Sequence, residues 1–384
     1  MRRLVTAALA TAVIAAALTA SGASAAVKVY DNGAGGERYV SMGDSVAAGP
    51  ILLPQRPGGS PCYRSEKNFA TLSAAALRVR AFTDATCSSA TIDNITKPQD
   101  SEPPQISAVG RDTSLVTVGP IGANDVGIVS TVSGCTTILG GSGCKERDGQ
   151  TVHNKIEATR GELAAALAAI KKKAPRAAIV VVGYGLYIPP GGCPTVQPLT
   201  PSDADYIQGL VDHMSAVLRD EARKAKATFA DLHATPGAID HTACAAPGQR
   251  WIEGLVPASG DGAIPFHPTA IGMQAVAPVV TAAARRGTAQ RDRALIRAVR
   301  GEALCRGSKL RLRVLTKGSP VVRADFKVGK VFIGRDSLAP FAYYTSKKKI
   351  KKRPGHLTAR VKLVLPDQTT TVTVKMWRPR CSKK

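Results

Sequence analysis

Acidic residues are scarce in this chain: 28 Asp and Glu stand against 52 Lys and Arg over 384 residues, a formal net charge of +24. Aromatic residues make up only 4% of the sequence and are not interleaved with the cations. A surface that stacks nucleic-acid bases needs such interleaving, so no nucleic-acid partner is expected. No CxxC pair occurs among the eight cysteines, which weighs against thiols or metal ligands in that arrangement. After the first 20 residues no apolar run is long enough to span a bilayer. No convincing internal repeat is present.

What is there begins with a leader. Arg2 and Arg3 precede an alanine-rich apolar stretch from Leu4 to about Ala20, and Ala23-Ser24-Ala25 has the small-x-small pattern of a signal peptidase site. Residues 1–25 read as a signal peptide, with the mature chain beginning near Ala26; a retained anchor is the competing reading, and the stretch is short for a span. A secreted, extracellular and monomeric protein is expected. In that compartment an even cysteine count reads as disulfides. Chain order suggests Cys62 with Cys87, Cys135 with Cys144, Cys193 with Cys244, and Cys305 with Cys381, although spacing does not prove connectivity.

Charge divides the chain more sharply than composition does. Residues 301–384 carry 22 Lys or Arg against Glu302, Asp325, Asp336 and Asp367, and residues 285–300 carry six Arg against Asp292. Residues 4–284 are close to neutral. A neutral module is therefore joined to a strongly basic one, and the cluster Lys347, Lys348, Lys349, Lys351, Lys352 and Arg353 suits an anionic envelope or membrane surface. Solubility of an exported domain accounts for the same lysines equally well.

The front module alternates strands and helices. Strands are expected at Tyr39–Met42, after Ala81, at Ser114–Val118, in AAIVVVGYG from Ala177 and in ATFADL from Ala227. Helices are expected over Asn68–Arg80, over Lys155–Lys173, from a Ser202 cap to about Lys226, and from His267-Pro268 to Ala284, stopped by Arg285, Arg286 and Gly287. This pattern predicts an α/β fold with an open parallel sheet, helices on both faces and a site at the carboxyl ends of the strands. Residues 285–304 read as an arginine-rich linker compatible with helix. From residue 305 to 384 the pattern turns to short alternating strands, which predicts a small antiparallel β-sandwich.

The chemistry centres on YVSMGDSVAAGP, residues 39–50, where a buried strand delivers Ser45 onto a turn after Gly43 and Asp44. A serine nucleophile needs a base beside it and donors where the carbonyl oxygen turns negative. Of six histidines, His267 in IPFHPTAIGM is the candidate base, because it follows a loop and opens a helix. His233 and His241 also lie in a long loop within reach of a site; His153, His213 and His356 read as solvated or structural. Ser89 and Asn124 fall at the ends of later strands. Ile51-Leu52-Leu53 and Tyr187-Ile188-Pro189-Pro190 are either acyl-pocket lining or packing beneath the loops.

In these motifs the chain resembles the SGNH (GDSL) hydrolase family over about residues 38–284. Gly43-Asp44-Ser45 is similar to the family's first block, CSSAT at Cys87–Thr91 to the second, Gly122, Asn124 and Asp125 to the third, and Phe266-His267-Pro268 to the last. The resemblance implies the three-layer α/β/α hydrolase fold and a secreted serine lipase or esterase acting on lipid or short-chain acyl esters. It implies Ser45 as nucleophile, His267 as base, and an oxyanion hole from the amides of Ser45 and Ser89 with the Asn124 side chain. Asp44 and Asp125 are expected to hold loops. Ser89 replaces the family's oxyanion glycine, and Ile264 stands where the family usually has the aspartate that orients the histidine. Actinobacterial lipases similar to this chain use a backbone carbonyl there, which implies the carbonyl of Ile264 as orienter, with Asp261 as the alternative. The chemistry needs no metal and no cofactor. Other outcomes are a carbohydrate acetyl esterase, or an envelope-binding protein with an inactive hydrolase domain.

Overall fold

The computed structural model describes residues 35–58, 60–136, 143–257, 262–353 and 355–380. The expected signal peptide at 1–25, Asp261, and Cys381 with its expected bond to Cys305 lie outside the described residues. The front module contains β1 (Arg38–Met42), α1 (Ser45–Ala48), α2 (Phe69–Leu77), β2 (Ala81–Asp84), β3 (Leu115–Val118), α3 (Ala123–Val126), α4 (Ile128–Cys135), α5 (Cys144–Ala158), α6 (Arg160–Lys173), β4 (Ala178–Val182), α7 (Pro201–Lys224), β5 (Thr228–Ala230) and α8 (Ala270–Ala298).

The five strands form one parallel sheet in the order β2-β1-β3-β4-β5. Side chains alternate across it. Val40, Met42, Val116, Val118, Ile179 and Val181 join a core with α6 and α7, while Tyr39, Phe82, Leu115, Val180 and Val182 join a second core with α2 and α8. All five residues of β4 are buried, as a strand covered on both faces must be. The module is thus a three-layer α/β/α sandwich. The chain runs outward from β1 to β2 and then returns to β3 on the other side, so the crevice of this topology opens at the carboxyl ends of β1 and β3.

Helix boundaries differ from those expected: α2 ends at Leu77 rather than Arg80, α8 starts at Ala270 behind a Thr269 cap rather than at His267-Pro268, and three further differences have a local cause. The N-cap of α7 is Thr200, whose side chain accepts the Asp203 amide at 3.2 Å; Pro201 takes the first helical position and Ser202 lies inside the turn. The single helix expected over Lys155–Lys173 is two, α5 and α6, parted at Thr159. The Thr159 hydroxyl donates to the Ile156 carbonyl at 2.7 Å and competes with the helix ladder. The stop expected at Arg285-Arg286-Gly287 is absent, because α8 runs on to Ala298. Gly287 is there for close approach: a Cβ on it would meet the Thr228 hydroxyl oxygen at 3.0 Å. The segment expected as a linker is therefore mostly helix, and the next strand begins at Arg300.

That strand, β6 (Arg300–Arg306), opens a small antiparallel β domain with β7 (Lys309–Leu315), β8 (Val321–Val328), β9 (Val331–Asp336), β10 (Ala342–Ser346), a short helix α9 (Lys347–Lys351), β11 (Leu357–Val364) and β12 (Thr369–Met376). The sheets β10-β7-β6 and β12-β11-β8-β9 enclose a core that includes Leu312, Phe326, Leu357 and Val361. Disulfides join Cys62 to Cys87, Cys135 to Cys144, and Cys193 to Cys244. Among the described residues no helix is long and apolar enough to cross a membrane.

Candidate active site

At the end of β1 the chain must turn in little space. A Cβ on Gly43 would sit 2.7 Å from the Ala47 methyl and 3.0 Å from the Pro120 carbonyl oxygen. The buried side chain of Gln105 brackets the same residue, its Oε1 accepting the Gly43 amide at 2.9 Å and its Nε2 donating to the Gly43 carbonyl at 3.0 Å. Asp44 then caps α1, accepting the Val46 amide at 2.8 Å, and its own amide donates to Pro120 at 2.9 Å. Ser45, the first residue of α1, is left facing the crevice.

The loop after β5 carries His267 to that serine, and Nε2 of the ring lies 2.7 Å from Ser45 Oγ. The loop is clamped by exchange with a neighbouring segment: the Phe266 amide donates to Glu253 and the Glu253 amide to His267, each at 2.9 Å. Thr269 caps α8 just beyond, accepting from Gly272. The orienting carbonyl is that of Pro265, 2.8 Å from Nδ1, and not that of Ile264 as expected. Ile264 instead accepts the backbone amide of His267 at 3.1 Å and closes a tight turn with Pro265 second and Phe266 third, at φ 59°. That turn occupies the Ile264 carbonyl and leaves the next one to meet the ring. Nδ1 therefore carries the proton, and Nε2 accepts from the serine hydroxyl.

Asn124, in α3 after β3, donates from Nδ2 to the Ala90 carbonyl at 2.9 Å, which ties it to the loop that follows β2. The Cys87 amide donates to the Gly43 carbonyl at 3.0 Å and fixes that loop beside the nucleophile turn. Ser89, two residues on, has φ 63°, a conformation natural to the glycine it replaces. Its amide makes no hydrogen bond among the described residues. Asp125 accepts the Ile92 amide with both oxygens, at 3.1 and 3.2 Å, and so holds a loop.

Burial sets the electrostatics. His267 is 8% exposed, and loss of solvent lowers its pKa from the ordinary imidazole value while the Pro265 bond opposes that shift. Burial raises Asp44 to about 7, against hydrogen bonds from Tyr184 and Val46. Asp125 rises to about 6 for the same first reason. A cavity of about 100 Å³ opens at Ser45, Asn124 and His267 and is walled by Ile128, Val129, Val132, Tyr187, Leu255 and Phe266.

Of the segments expected near an acyl group, only Tyr187 reaches this cavity. Leu52 is buried in the core beneath α2 and α8, Ile51 and Leu53 point outward, and Ile188 packs in the opposite core. His233 pairs with Asp212 at 2.8 Å and His241 with the Gln249 carbonyl at 2.7 Å, so neither lines the site. Sequence reasoning missed Gln105, Pro265 and Tyr184. Tyr184 donates to Asp44 at 2.6 Å and accepts the Ala123 amide at 3.0 Å, which joins the nucleophile turn to the Asn124 loop. Its place two residues after the most apolar strand, at a carboxyl end, is the signal that points to it.

The family model described as GDSL-like Lipase/Acylhydrolase family matches residues 41–275. Lipase 2 of Streptomyces coelicolor (strain ATCC BAA-471 / A3(2) / M145) is 35% identical over 251 residues, 62% of this chain and 83% of its own length. Among solved structures, phospholipase A1 from Streptomyces albidoflavus NA297 aligns with TM-score 0.56 at 28% identity, covering 65% of this chain and 100% of that one. The extracellular lipase from Streptomyces rimosus aligns with TM-score 0.55 at 27% identity, covering 64% and 99%. With the strand-end serine and histidine in contact on a sheet of this topology, the chain belongs to the GDSL-like lipase/acylhydrolase family and is a carboxylic ester hydrolase.

Proposed function

We propose that the protein is an exported serine lipase that cleaves acyl esters of lipids through an acyl-enzyme, with Ser45 as nucleophile and His267 as base. The observation that carries this is the 2.7 Å contact between His267 Nε2 and Ser45 Oγ at the mouth of an apolar cavity. His267 takes the serine proton as Oγ attacks the ester carbonyl. It returns that proton to the leaving alcohol, and water repeats the sequence to release the acid. The Ser45 and Ser89 amides, neither spent on another hydrogen bond, and the second Nδ2 proton of Asn124 serve the oxyanion.

The cavity walls favour an alkyl chain over a sugar, and relatives named lipase and phospholipase A1 point the same way. Export is supported by the leader pattern and by three disulfides. The basic β domain serves as a holdfast on an anionic envelope surface, with Lys347, Lys348, Lys349 and Lys351 displayed on α9 around the buried Ile350. Salt-sensitive retention on anionic vesicles is expected of the full chain, and absence of retention at low salt removes that role.

Hydrolysis of p-nitrophenyl esters from acetate to palmitate by the wild type and by Ser45→Ala tests the reading. Medium or long acyl chains should be preferred and activity should vanish in the variant. Preference for acetate indicates an acetyl esterase instead, and no hydrolysis of any ester leaves only the binding role.

A further inference from the structure

At the amino ends of the strands, the end of the sheet opposite Ser45, a cleft of about 250 Å³ lies between the hydrolase module and the β domain. Topology gathers its cations from distant parts of the chain. Arg38 opens β1, Arg80 immediately precedes β2, Arg111 belongs to the turn before β3, and Arg176 lies just before β4. Arg291 enters from α8. The far wall is apolar, made by Leu295 with Pro320, Val364 and Leu365 of the β domain, and the Gly36 amide donates to the Pro366 carbonyl across the junction.

The acids nearby do not neutralise this group. Arg291 is fully engaged, donating to both oxygens of Glu37 at 2.7 Å, to Asp292 and to the Ser114 carbonyl. Arg38 pairs with Asp112 at 3.2 Å. Arg80, Arg111 and Arg176 have no carboxylate partner among the described residues, and all three are exposed toward solvent. Lys171, which donates to the Ala177 carbonyl next to Arg176 at 3.4 Å, adds to the positive field: partial loss of solvent, and then the charge of Arg291, lower its pKa from the ordinary lysine value. Like charges gathered on a concave, low-dielectric wall repel one another, and an anion relieves that repulsion where field lines are focused.

We propose that this cleft binds a phosphate ester, its oxyanion held by Arg80, Arg111 and Arg176 and its alcohol portion lying against the apolar wall. One guanidinium fork satisfies a carboxylate, whereas three forks match the several terminal oxygens of a phosphate group. The volume leaves room for a short carbon chain beyond the phosphorus. Both modules wall the cleft, so an occupant ties them together.

The test is calorimetric titration of the full-length mature protein in a Ser45→Ala background, which leaves acyl esters uncleaved, at low salt with inorganic phosphate, glycerol 3-phosphate and monomeric dihexanoylphosphatidylglycerol. At least one probe binds, and its affinity falls at least about tenfold in Arg80→Ala/Arg176→Ala, as loss of two charge-assisted contacts requires. The control Lys155→Ala/Arg219→Ala removes the same charge from exposed positions on α5 and α7 and leaves binding unchanged. Circular dichroism and the unliganded melting temperature establish that both variants are folded. Binding of the two soluble phosphates identifies a free phosphate ester as the source, and binding of the lipid alone identifies a headgroup. No binding of any probe, or equal loss in the control, overturns the proposal.

Discussion

The imidazole of His267 is held at Nδ1 by the backbone carbonyl of Pro265, 2.8 Å away. A carbonyl fixes the tautomer as a carboxylate does, but it brings no negative charge to offset the imidazolium formed when Ser45 gives up its proton. Burial therefore weakens the base, and the Pro265 bond opposes that loss.

Removal of Asp261, the carboxylate nearest to His267 in sequence, is expected to leave kcat/KM within about tenfold of wild type. Assay of Asp261→Ala on a p-nitrophenyl ester checks this. A loss beyond about a hundredfold, the lower range for a proton-transfer partner, means that an acid orients the ring after all.

The pH profile distinguishes the same alternatives. Protonated His267 cannot accept from Ser45, so kcat/KM falls as pH drops through the His267 pKa, and burial lowers that pKa from its ordinary 6.5. The acid limb should lie below the ordinary imidazole range with a plateau at neutral pH. A midpoint above that range requires a carboxylate beside the ring.

Much of this arrangement was legible in the sequence. The run from Tyr39 to Pro50, the doubly apolar AIVVV strand and the order of the blocks were enough to put Ser45, Ser89 and Asn124 at strand ends and His267 on the loop before the last helix, because period and punctuation report local structure. What escaped depended on backbone geometry or on remote packing. Phe266 at φ 59° has no sequence signature, yet it decides which carbonyl meets His267. Gly287 looked like a stop and proved to be a contact with Thr228. Gln105 reaches Gly43 across 62 residues of chain, and the arginines of the interdomain cleft come together only once the strands are ordered.

Asp44 provides a stability test with a definite sign. Its folded pKa is raised to about 7 from 3.8, so the folded state keeps a proton that the unfolded state loses between those values. Its contribution is full below pH 3.8 and is lost as pH rises through about 7. Relative to wild type, Asp44→Asn should gain melting temperature from pH 4 to pH 8, as thermal scans across that range report. A constant difference would place the folded pKa near its ordinary value.

Tyr184→Phe removes the donor to Asp44, which is buried, and the acceptor for the Ala123 amide, which is partly buried. The buried orphan at Asp44 costs about 1–3 kcal/mol, so a lower melting temperature is expected. If Tyr184 also holds the Asn124 loop in register with Ser45, kcat falls with little change in KM. A stable variant with wild-type kinetics would reduce Tyr184 to packing.

The Cys62–Cys87 bond closes a span of 25 residues and anchors the loop that carries Ser89. Cys62→Ser/Cys87→Ser should lose about 3 kcal/mol through the freed unfolded chain. Denaturant titration measures this, and an unchanged midpoint would contradict it.

The most direct test of the account is covalent. Treatment with a fluorophosphonate followed by peptide mass analysis should find one adduct, on Ser45, formed slowly or not at all in His267→Ala and absent from Ser45→Ala. A label on another residue, or ester hydrolysis at the wild-type rate by Ser45→Ala, would contradict the serine and histidine mechanism.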